Sequence, residues 1–451
     1  MRRPVLFAVL IGSATSACAQ LGYGNEWIDH GRQYWKFEVY ADGVYRIDSA
    51  ALAQAGFPVT SVDPRHLMLF GKEQQVPVYV QGEADGEFNS GDFIEFRAEK
   101  ADGMVDRRMY PFPDADPNPD YSLYNDTVRY FLTWDEQAPA MHMVSYSNNE
   151  VAAGTPRPWV WSETTRVYSD NYLVGFIDTW LGGQGIPGTP ALMLEAEGFA
   201  GPMVFNTAPA AEQFMDVTVL TPEAFIGLGV PLARVKTTSI GMGVTGVVSQ
   251  ADHHLRLYAG PGLAQVMVDT AFNGARTMRG TFDMPGDWVG PTTTVRFGVP
   301  HDLPLANWSP QYLDWQAVNN VHIRYARTLN MGGISALMME VPNDGTGPIV
   351  RLDLSGVAGT PVVYAWGDTV RRMEPFFGTA WHALFPRAPG IADTRAFAFT
   401  QESIQPITTL RMATPTGYFT DFGALDIDSA MLIVTHASLM DGAQQLSLIH
   451  I

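Results

Sequence analysis

The chain has 451 residues, with 28 Lys and Arg against 47 Asp and Glu, which gives a formal net charge of −19 at pH 7. This charge disfavours binding to nucleic acid and to anionic membrane surfaces, since both are negatively charged themselves. The 43 Gly, 31 Pro and 17% charged residues, with frequent β-branched and aromatic runs, indicate many short strands and turns. We therefore expect a mainly β fold, and the length allows about three domains of ~150 residues each.

The N-terminus has the pattern of a secretory signal peptide. Arg2 and Arg3 precede an apolar stretch over residues 5–11, and Ala17-Cys18-Ala19 provides the small side chains that a signal peptidase accepts. We therefore predict that residues 1–19 are a signal peptide. The protein is expected to be exported, to the extracellular space or to the outer-membrane surface.

Cys18 is the single cysteine of the chain. The mature protein is therefore expected to have no disulfide, no Cys-ligated metal and no thiol nucleophile. A lipoprotein in which Cys18 is acylated is an alternative, although Thr15 stands where an aliphatic residue is expected. No later apolar run approaches the ~18 residues that a membrane-spanning helix requires, so we expect no membrane span.

Residues 20–150 are interpreted as an N-terminal β domain. The dipeptide Asp42-Gly43 predicts a tight hairpin turn between its first two strands. Asp48 or Ser49 is suited to cap a short helix over residues 50–55, and Gly56 is suited to end it. Alternation of apolar and polar residues predicts strands over residues 35–40, 44–47, 66–70, 76–80, 93–97 and 130–134.

The acidic loop over residues 83–95 is the candidate metal site. Asp85, Asn89 and Asp92 place hard oxygen ligands close together, which is what calcium coordination requires. The spacing is not that of an EF-hand, because Ser90 occupies the sixth position, where Gly is needed. The alternative, which we favour, is a solvated turn that uses Asp-Gly and Ser-Gly for their backbone freedom.

Residues 156–340 are interpreted as a second β region, a jelly-roll-like sandwich. Strands are predicted over residues 215–220, 244–249, 254–258, 264–269, 293–299 and 318–327. His253 and His254 beside Asp252 suggest a metal-ligand cluster, but neighbouring residues of a strand point to opposite faces, so the two imidazoles are not expected to share one ion. Asp314 is expected to be structural.

A third region, over residues 348–420, is predicted to be a connecting β segment. Strands are expected over residues 349–354, 361–366, 396–400 and 408–412. An unbroken apolar run over residues 430–435, followed by apolar residues at helical spacing, predicts the first strand and helix of an α/β domain over residues 426–445. Residues 446–451, LSLIHI, translate CTG TCT CTT ATA CAC ATC, the end of a transposon adapter, and we interpret them as adapter sequence.

Several sequence blocks, in order, resemble the N-terminal region of gingipain-type cysteine peptidases, large secreted proteins of Bacteroidetes-like bacteria. The group includes the sortase of the type IX secretion system. The blocks are YGNEWI (23–28), DGVYRID (42–48), AGFPV (55–59), DGEFNSGDFIEF (85–96), SLYNDTVRYFLTW (122–134), TRVYSDNYLVG (165–175) and VNNVHIRYAR (318–327). The segment SAMLIVTHASLMDGAQQL (429–446) resembles the first strand and helix of the family's caspase-like catalytic domain.

The resemblance implies a Cys–His pair that hydrolyses peptide bonds, with the His taking the proton of the thiol. Both residues would lie beyond this chain, so no catalytic residue is assigned to it. His436 follows a predicted parallel strand, where α/β sheets carry their sites, but there is no thiol here for it to activate. Protein or peptide substrates and the type IX secretion machinery are the implied partners. The alternative is a secreted, non-catalytic adhesion or type IX secretion-associated protein.

Overall fold

A computed structural model describes residues 24–147, 155–173, 193–206, 211–242, 251–303, 314–345, 347–424 and 439. Four predicted segments lie outside these residues: the signal peptide, the strand over residues 244–249, the strand–helix unit over residues 426–445 and the adapter segment. Of the strand–helix unit, only Leu439 is described. The described residues form 28 strands, one α-helix and several short 3₁₀ helices. The strands pair antiparallel except for two parallel pairings, so the prediction of a mainly antiparallel β fold is confirmed.

The secondary-structure elements follow one another in three groups. The first is β1 (Trp35–Val39), β2 (Gly43–Asp48), α1 (Ser49–Gln54), β3 (Leu67–Gly71), β4 (Gln74–Val76), β5 (Val78–Gln81), β6 (Phe93–Ala98) and β7 (Val128–Trp134). The second is β8 (Val144–Tyr146), β9 (Val160–Val167), β10 (Asn171–Leu173), β11 (Gly198–Ala200), β12 (Met203–Asn206), β13 (Gln213–Leu220), β14 (Ala233–Met242), β15 (His253–Ala259), β16 (Gln265–Phe272), β17 (Arg276–Met284), β18 (Thr292–Val299), β19 (Asp314–Arg327) and β20 (Ala336–Pro342). The third is β21 (Ile349–Leu354), β22 (Pro361–Trp366), β23 (Val370–Met373), β24 (Phe376–Phe377), β25 (Trp381–Pro386), β26 (Asp393–Thr400), β27 (Gln405–Pro406) and β28 (Arg411–Met412). The 3₁₀ helices are Pro64–His66, Glu83–Asp85, Asp106–Met109, Pro113–Ala115, Pro261–Leu263, Gly286–Trp288, Gln401–Ser403 and Phe422–Ala424.

The first group folds into two sheets that face each other, which we call the N-terminal unit. One sheet has the order β28-β1-β7-β3-β4 and the other β27-β2-β6-β5. Alternate residues of the strands point between the sheets and form one buried core, as the period of two along a strand requires. Both sheets end in a strand from the far end of the described chain, so residues 405–412 complete this unit.

The prediction of a hairpin at Asp42-Gly43 is wrong. The chain does turn there, but β1 pairs with β7 and β28, whereas β2 pairs with β6 and β27. The turn is therefore a corner between two sheets. The Asp42 carboxylate accepts the N–H of Lys100 at 2.8 Å, which fixes the corner to the end of β6. Side chains from both strands, including Phe37 and Ile47, face one core from opposite sides.

The predicted helix is confirmed as α1. Asp48 is its N-cap, and one carboxylate oxygen accepts the N–H of Ala51 at 2.7 Å, which satisfies one of the donors left free at a helix start. The helix closes at Ala55, and Gly56 follows with a φ of +73°, a conformation that glycine adopts without strain.

A ten-stranded sheet connects the second and third groups. Its order is β17-β14-β19-β9-β20-β26-β22-β23-β8, with β12 also paired to β19. The half that contains β14 and β19 is covered by a four-stranded sheet, β13-β18-β15-β16, and apolar residues of both fill the space between them. This half is a β-sandwich, as the sequence predicts.

The other half of the ten-stranded sheet is covered on both faces. On β22, Val363 and Ala365 pack towards the three-stranded sheet β21-β25-β24, whereas Val362 and Tyr364 pack towards the N-terminal unit. The neighbouring strand β26 alternates in the same way. A strand buried on both faces reads as a continuous apolar run, which explains the sequence of residues 396–399, AFAF. The division into domains remains a prediction.

Candidate functional site

The structure brings the three calcium candidates together at the surface. Asp85 accepts the N–H of Glu87 at 3.0 Å and, through its other oxygen, the side-chain amide of Asn89 at 3.2 Å. Asp92 accepts the backbone N–H of Asn89 at 2.6 Å. Both carboxylates thus accept donors of the loop itself, and the contact from Glu87 to Asp85 is that of an Asx turn. Within the described part of the chain, no three His, Cys, Asp or Glu side chains converge in a metal-binding arrangement, and the calcium assignment remains a prediction.

The two neighbouring histidines point to opposite faces of β15, as predicted. His253 is fully buried, and its Nδ1 lies 2.8 Å from Asp314. The imidazole nitrogens of His254 lie 2.6 Å from Asp302 and 2.6 Å from Asp269. Each imidazole therefore has its own carboxylate partners, and the two do not share a site.

Asp314, at the start of β19, connects the two sheets of the sandwich. Besides His253, it accepts the backbone N–H of His254 at 2.8 Å and the amide of Gln316 at 3.1 Å. The carboxylate is fully buried, so these donors satisfy a charge that would otherwise be costly to bury. This geometry supports the expectation that Asp314 is a structural residue.

One described cluster has the outline of a catalytic triad. His322 Nδ1 lies 2.9 Å from the Thr165 hydroxyl, and its Nε2 lies 2.8 Å from Asp120. Glu163 also lies 3.2 Å from Nδ1. Burial acts to lower the pKa of His322, but hydrogen bonds to the two carboxylates outweigh it and raise the pKa to about 9. The imidazole is therefore protonated at neutral pH and cannot accept a proton from the hydroxyl.

The most deeply buried charged group in the described chain that sequence reasoning missed is Glu95 on β6. Its side chain is 0% exposed, and one oxygen accepts hydrogen bonds from Arg372 Nε at 2.8 Å and from the Tyr364 hydroxyl at 2.7 Å. The other oxygen accepts from Arg46 at 2.6 Å. We call these four residues the Glu95 junction, because they join the N-terminal unit to the ten-stranded sheet.

The electrostatics of the Glu95 junction favour the ionised carboxylate. Burial acts to raise the pKa of Glu95, but the positive charge of Arg372 and the hydrogen bonds outweigh it and hold the pKa below its ordinary value. Burial raises the pKa of Tyr364 well above its ordinary range, so its hydroxyl remains a donor. Arg372 also lies over the ring of Tyr79, at 4.5 Å from its centre.

The described residues contain neither the single cysteine nor His436. The expectations for these two residues therefore lie outside the described part of the chain. No α-helix in the described ranges is both long enough and apolar enough to cross a membrane.

Comparisons with known proteins found similarity at the level of coarse fold. No protein family model and no curated protein matches the chain. The crystal structure of dimeric latent PorU from Porphyromonas gingivalis is similar over 83% of this chain, at 12% identity and a TM-score of 0.47. The ANX1 ectodomain from Arabidopsis thaliana aligns over 67% of this chain and 80% of its own, at 7% identity and a TM-score of 0.19. The VP2 subviral particle of infectious bursal disease virus aligns over 81% and 78%, at 8% identity and a TM-score of 0.16.

The PorU similarity covers 32% of the PorU chain, so this chain spans about a third of that protein's length. Similarity of this kind does not determine a function, because one fold supports many activities. The chain is a mainly antiparallel β protein with a coarse structural similarity to PorU.

Proposed function

We propose that this chain is the N-terminal, non-catalytic part of a secreted gingipain-type cysteine endopeptidase. The observation that carries the proposal is the set of sequence blocks given above, which occur in the order of that family's N-terminal region. Peptide bonds in protein or peptide substrates would be hydrolysed by a Cys–His pair in an α/β domain beyond residue 445. The predicted signal peptide would direct the protein out of the cytoplasm.

The positions of the blocks in the fold support this proposal. Residues 42–48 contain β2, residues 85–96 include the first four residues of β6 and residues 122–134 contain β7, while residues 55–59 follow α1. Apolar side chains from all four blocks pack in the core of the N-terminal unit. Blocks that build one core together are expected of an inherited domain, because each depends on the others for burial.

The path of the chain after β26 favours a role for the N-terminal unit as a platform for the proposed catalytic domain. The strands β27 and β28 pair with β2 and β1, and the ring of Phe419 then packs at 5.6 Å from Phe131 and 6.1 Å from Trp27. The described chain thus approaches residue 424 along this unit. A catalytic domain that begins near residue 426 would follow directly, with the unit available as a platform for it.

The alternative function is that of a secreted adhesion or type IX secretion-associated protein without a catalytic domain. Long-read sequencing of the source gene across the codons for residues 445–451 separates the two. We expect the reading frame to depart from the adapter codons and to encode an α/β domain with His and Cys at strand ends. A natural stop, or a continuation without such a pair, would contradict the peptidase proposal and favour the alternative.

The non-catalytic nature of the present chain can be tested directly. We expect the purified protein to leave arginyl and lysyl amide substrates uncleaved under reducing conditions, because no cysteine follows Cys18. Cys18 lies in the predicted signal peptide, so the protein tested is the full chain with residues 1–19 retained, and its Cys18→Ala variant is the matched control that should behave identically. Thiol-dependent cleavage by the wild type, lost in the control, would overturn the assignment.

A further inference from the structure

The loop between β13 and β14 presents an apolar tip to solvent. Over residues 224–233, AFIGLGVPLA, the chain contains no charged residue. Ile226 is 83% exposed, Leu228 is fully exposed and Leu232 is 59% exposed. Single exposed aliphatic residues are common on protein surfaces, but several within one uncharged loop indicate a surface that contacts an apolar partner.

The described structure holds both ends of this loop in place. On the first side, Phe225 donates its backbone N–H to the carbonyl oxygen of Ala326 at 2.9 Å. On the second side, Pro231 lies close against Gly286, where a Cβ would overlap the carbonyl oxygen of Pro231. The loop is therefore anchored at its two ends, and residues 226–229 between them are all exposed.

The size of the tip favours a lipid surface over a protein partner. Three exposed aliphatic side chains offer on the order of 300 Å² of apolar area together, whereas a stable protein interface takes about 800 Å² from each partner. Insertion into a lipid layer needs no matching surface, and its strength follows the apolar area that is buried. A small apolar tip on a fixed stem therefore fits a lipid layer better than a second protein.

The charge of the protein selects the kind of lipid. Attraction to anionic lipids strengthens many interfacial anchors, but the tip has no basic residue and the protein as a whole carries a net charge of −19. An anionic membrane would therefore repel the protein, whereas a membrane of zwitterionic lipid would not.

We propose that the loop tip, with Ile226 and Leu228, inserts into the surface of a membrane of zwitterionic lipid. The nearest charged residues along the chain, Glu223 and Arg234, lie at the two ends of the loop, and Arg234 is paired there with Asp283 at 2.8 Å. The binding is weak and reversible, like the marginal attachment that a single acyl chain provides. This surface belongs to the sandwich and does not depend on the peptidase assignment.

Co-sedimentation with phosphatidylcholine vesicles tests the proposal. The protein used is the processed chain, residues 20–451, because the apolar stretch of the predicted signal peptide would itself insert. We expect the wild type to bind, and the double variant Ile226→Ser with Leu228→Ser to partition about tenfold or more weakly, because burial of each aliphatic side chain is worth about that factor. The matched control is Phe377→Ser, which removes an apolar side chain that is 68% exposed on β24, and it should bind like the wild type.

A single fluorescent label locates the inserted segment. The chain over residues 20–451 contains no cysteine, so Leu228→Cys provides one thiol for an environment-sensitive fluorophore. We expect the emission of this label to shift to shorter wavelength when phosphatidylcholine vesicles are added. The same label at Phe377→Cys should show no shift.

Three results with vesicles would overturn the proposal: no binding to phosphatidylcholine, equal binding by the double variant, or binding only when anionic phosphatidylglycerol is present. Sedimentation velocity without lipid tests a second copy of the chain as the occupant. A wild-type dimer that becomes a monomer in the double variant would contradict the lipid assignment. Circular dichroism and thermal melting establish that the variants are folded, and we expect unchanged melting because the substituted side chains face solvent.

Discussion

The Glu95 junction yields the sharpest stability prediction. Replacing Glu95 by Gln keeps the shape of the side chain but removes a charge that is 0% exposed and that faces Arg372, itself 5% exposed. Removing one partner of a buried ion pair typically costs about 3–5 kcal/mol, because the other charge is left uncompensated. Arg372 retains a hydrogen bond to Glu374 at 2.7 Å, so we expect the lower end of that range, about 3 kcal/mol.

The measurement is chemical denaturation followed by tryptophan fluorescence and circular dichroism. We expect Glu95→Gln to lower the midpoint concentration of denaturant with little change in the slope m. The matched control is Glu38→Gln, because Glu38 pairs at 3.3 Å with Arg129, which is 61% exposed. Exposed pairs contribute about 0–1 kcal/mol. A loss below about 1 kcal/mol for Glu95→Gln, or a loss equal to that of the control, would refute the reasoning.

The pH dependence has a defined sign. The pKa of Glu95 is held below its ordinary value in the folded protein. The stabilisation of the fold by the ionised carboxylate is therefore fully present above the ordinary pKa and is lost as the pH falls through the lowered value. Glu95→Gln should therefore remove part of the acid sensitivity of unfolding. A variant whose stability falls with acid as steeply as that of the wild type would contradict this.

Three further predictions concern other sites. Because the pKa of His322 is raised to about 9, its ion pairs should stabilise the fold fully below pH 6.5 and lose this effect as the pH rises through about 9. At low pH, His322→Gln should therefore lower the free energy of unfolding by about 1–2 kcal/mol, a value that allows for solvent screening of the partly exposed carboxylates. This difference between the variant and the wild type should shrink as the pH rises through about 9. Asp48→Ala should cost about 1 kcal/mol through loss of the helix cap. Asp287→Ala, at an exposed residue of the 3₁₀ helix Gly286–Trp288, should cost less than about 0.5 kcal/mol, and equal losses in thermal melts would argue against the cap. On the solvated-turn interpretation, millimolar calcium should leave the melting temperature unchanged, whereas a calcium-dependent rise that is abolished in Asp85→Asn and Asp92→Asn would establish an ion site.

The features that the sequence predicted correctly depend on local chemistry. The α1 helix follows from a capping Asp48 and a terminal Gly56, and the opposite directions of His253 and His254 follow from the period of a strand. The hairpin at Asp42-Gly43 was wrong because an Asp-Gly pair signals a reversal of the chain and not which sheet the next strand joins. Local patterns therefore identify elements more reliably than their partners.

The Glu95 junction could not have been predicted from the sequence for the same reason. Alternation along β6 places Glu95 on the face opposite the core of the N-terminal unit, and such a residue is expected to face solvent. Its partner Arg372 is 277 positions away in sequence, and only the docking of the ten-stranded sheet buries both.

The closing strands of the N-terminal unit have a consequence for the order of folding. Trp35 on β1 pairs with Met412 on β28, and Tyr45 on β2 pairs with Gln405 on β27. Contacts between such distant residues are slow to form, because a long loop must close first. A polypeptide that emerges from a ribosome or a secretion channel with its N-terminus first therefore cannot complete its first unit until residue 412 has emerged. Until then, the edges of β1 and β2 remain open for pairing, so the part of this unit that is made first must wait for β27 and β28 before its two sheets are complete.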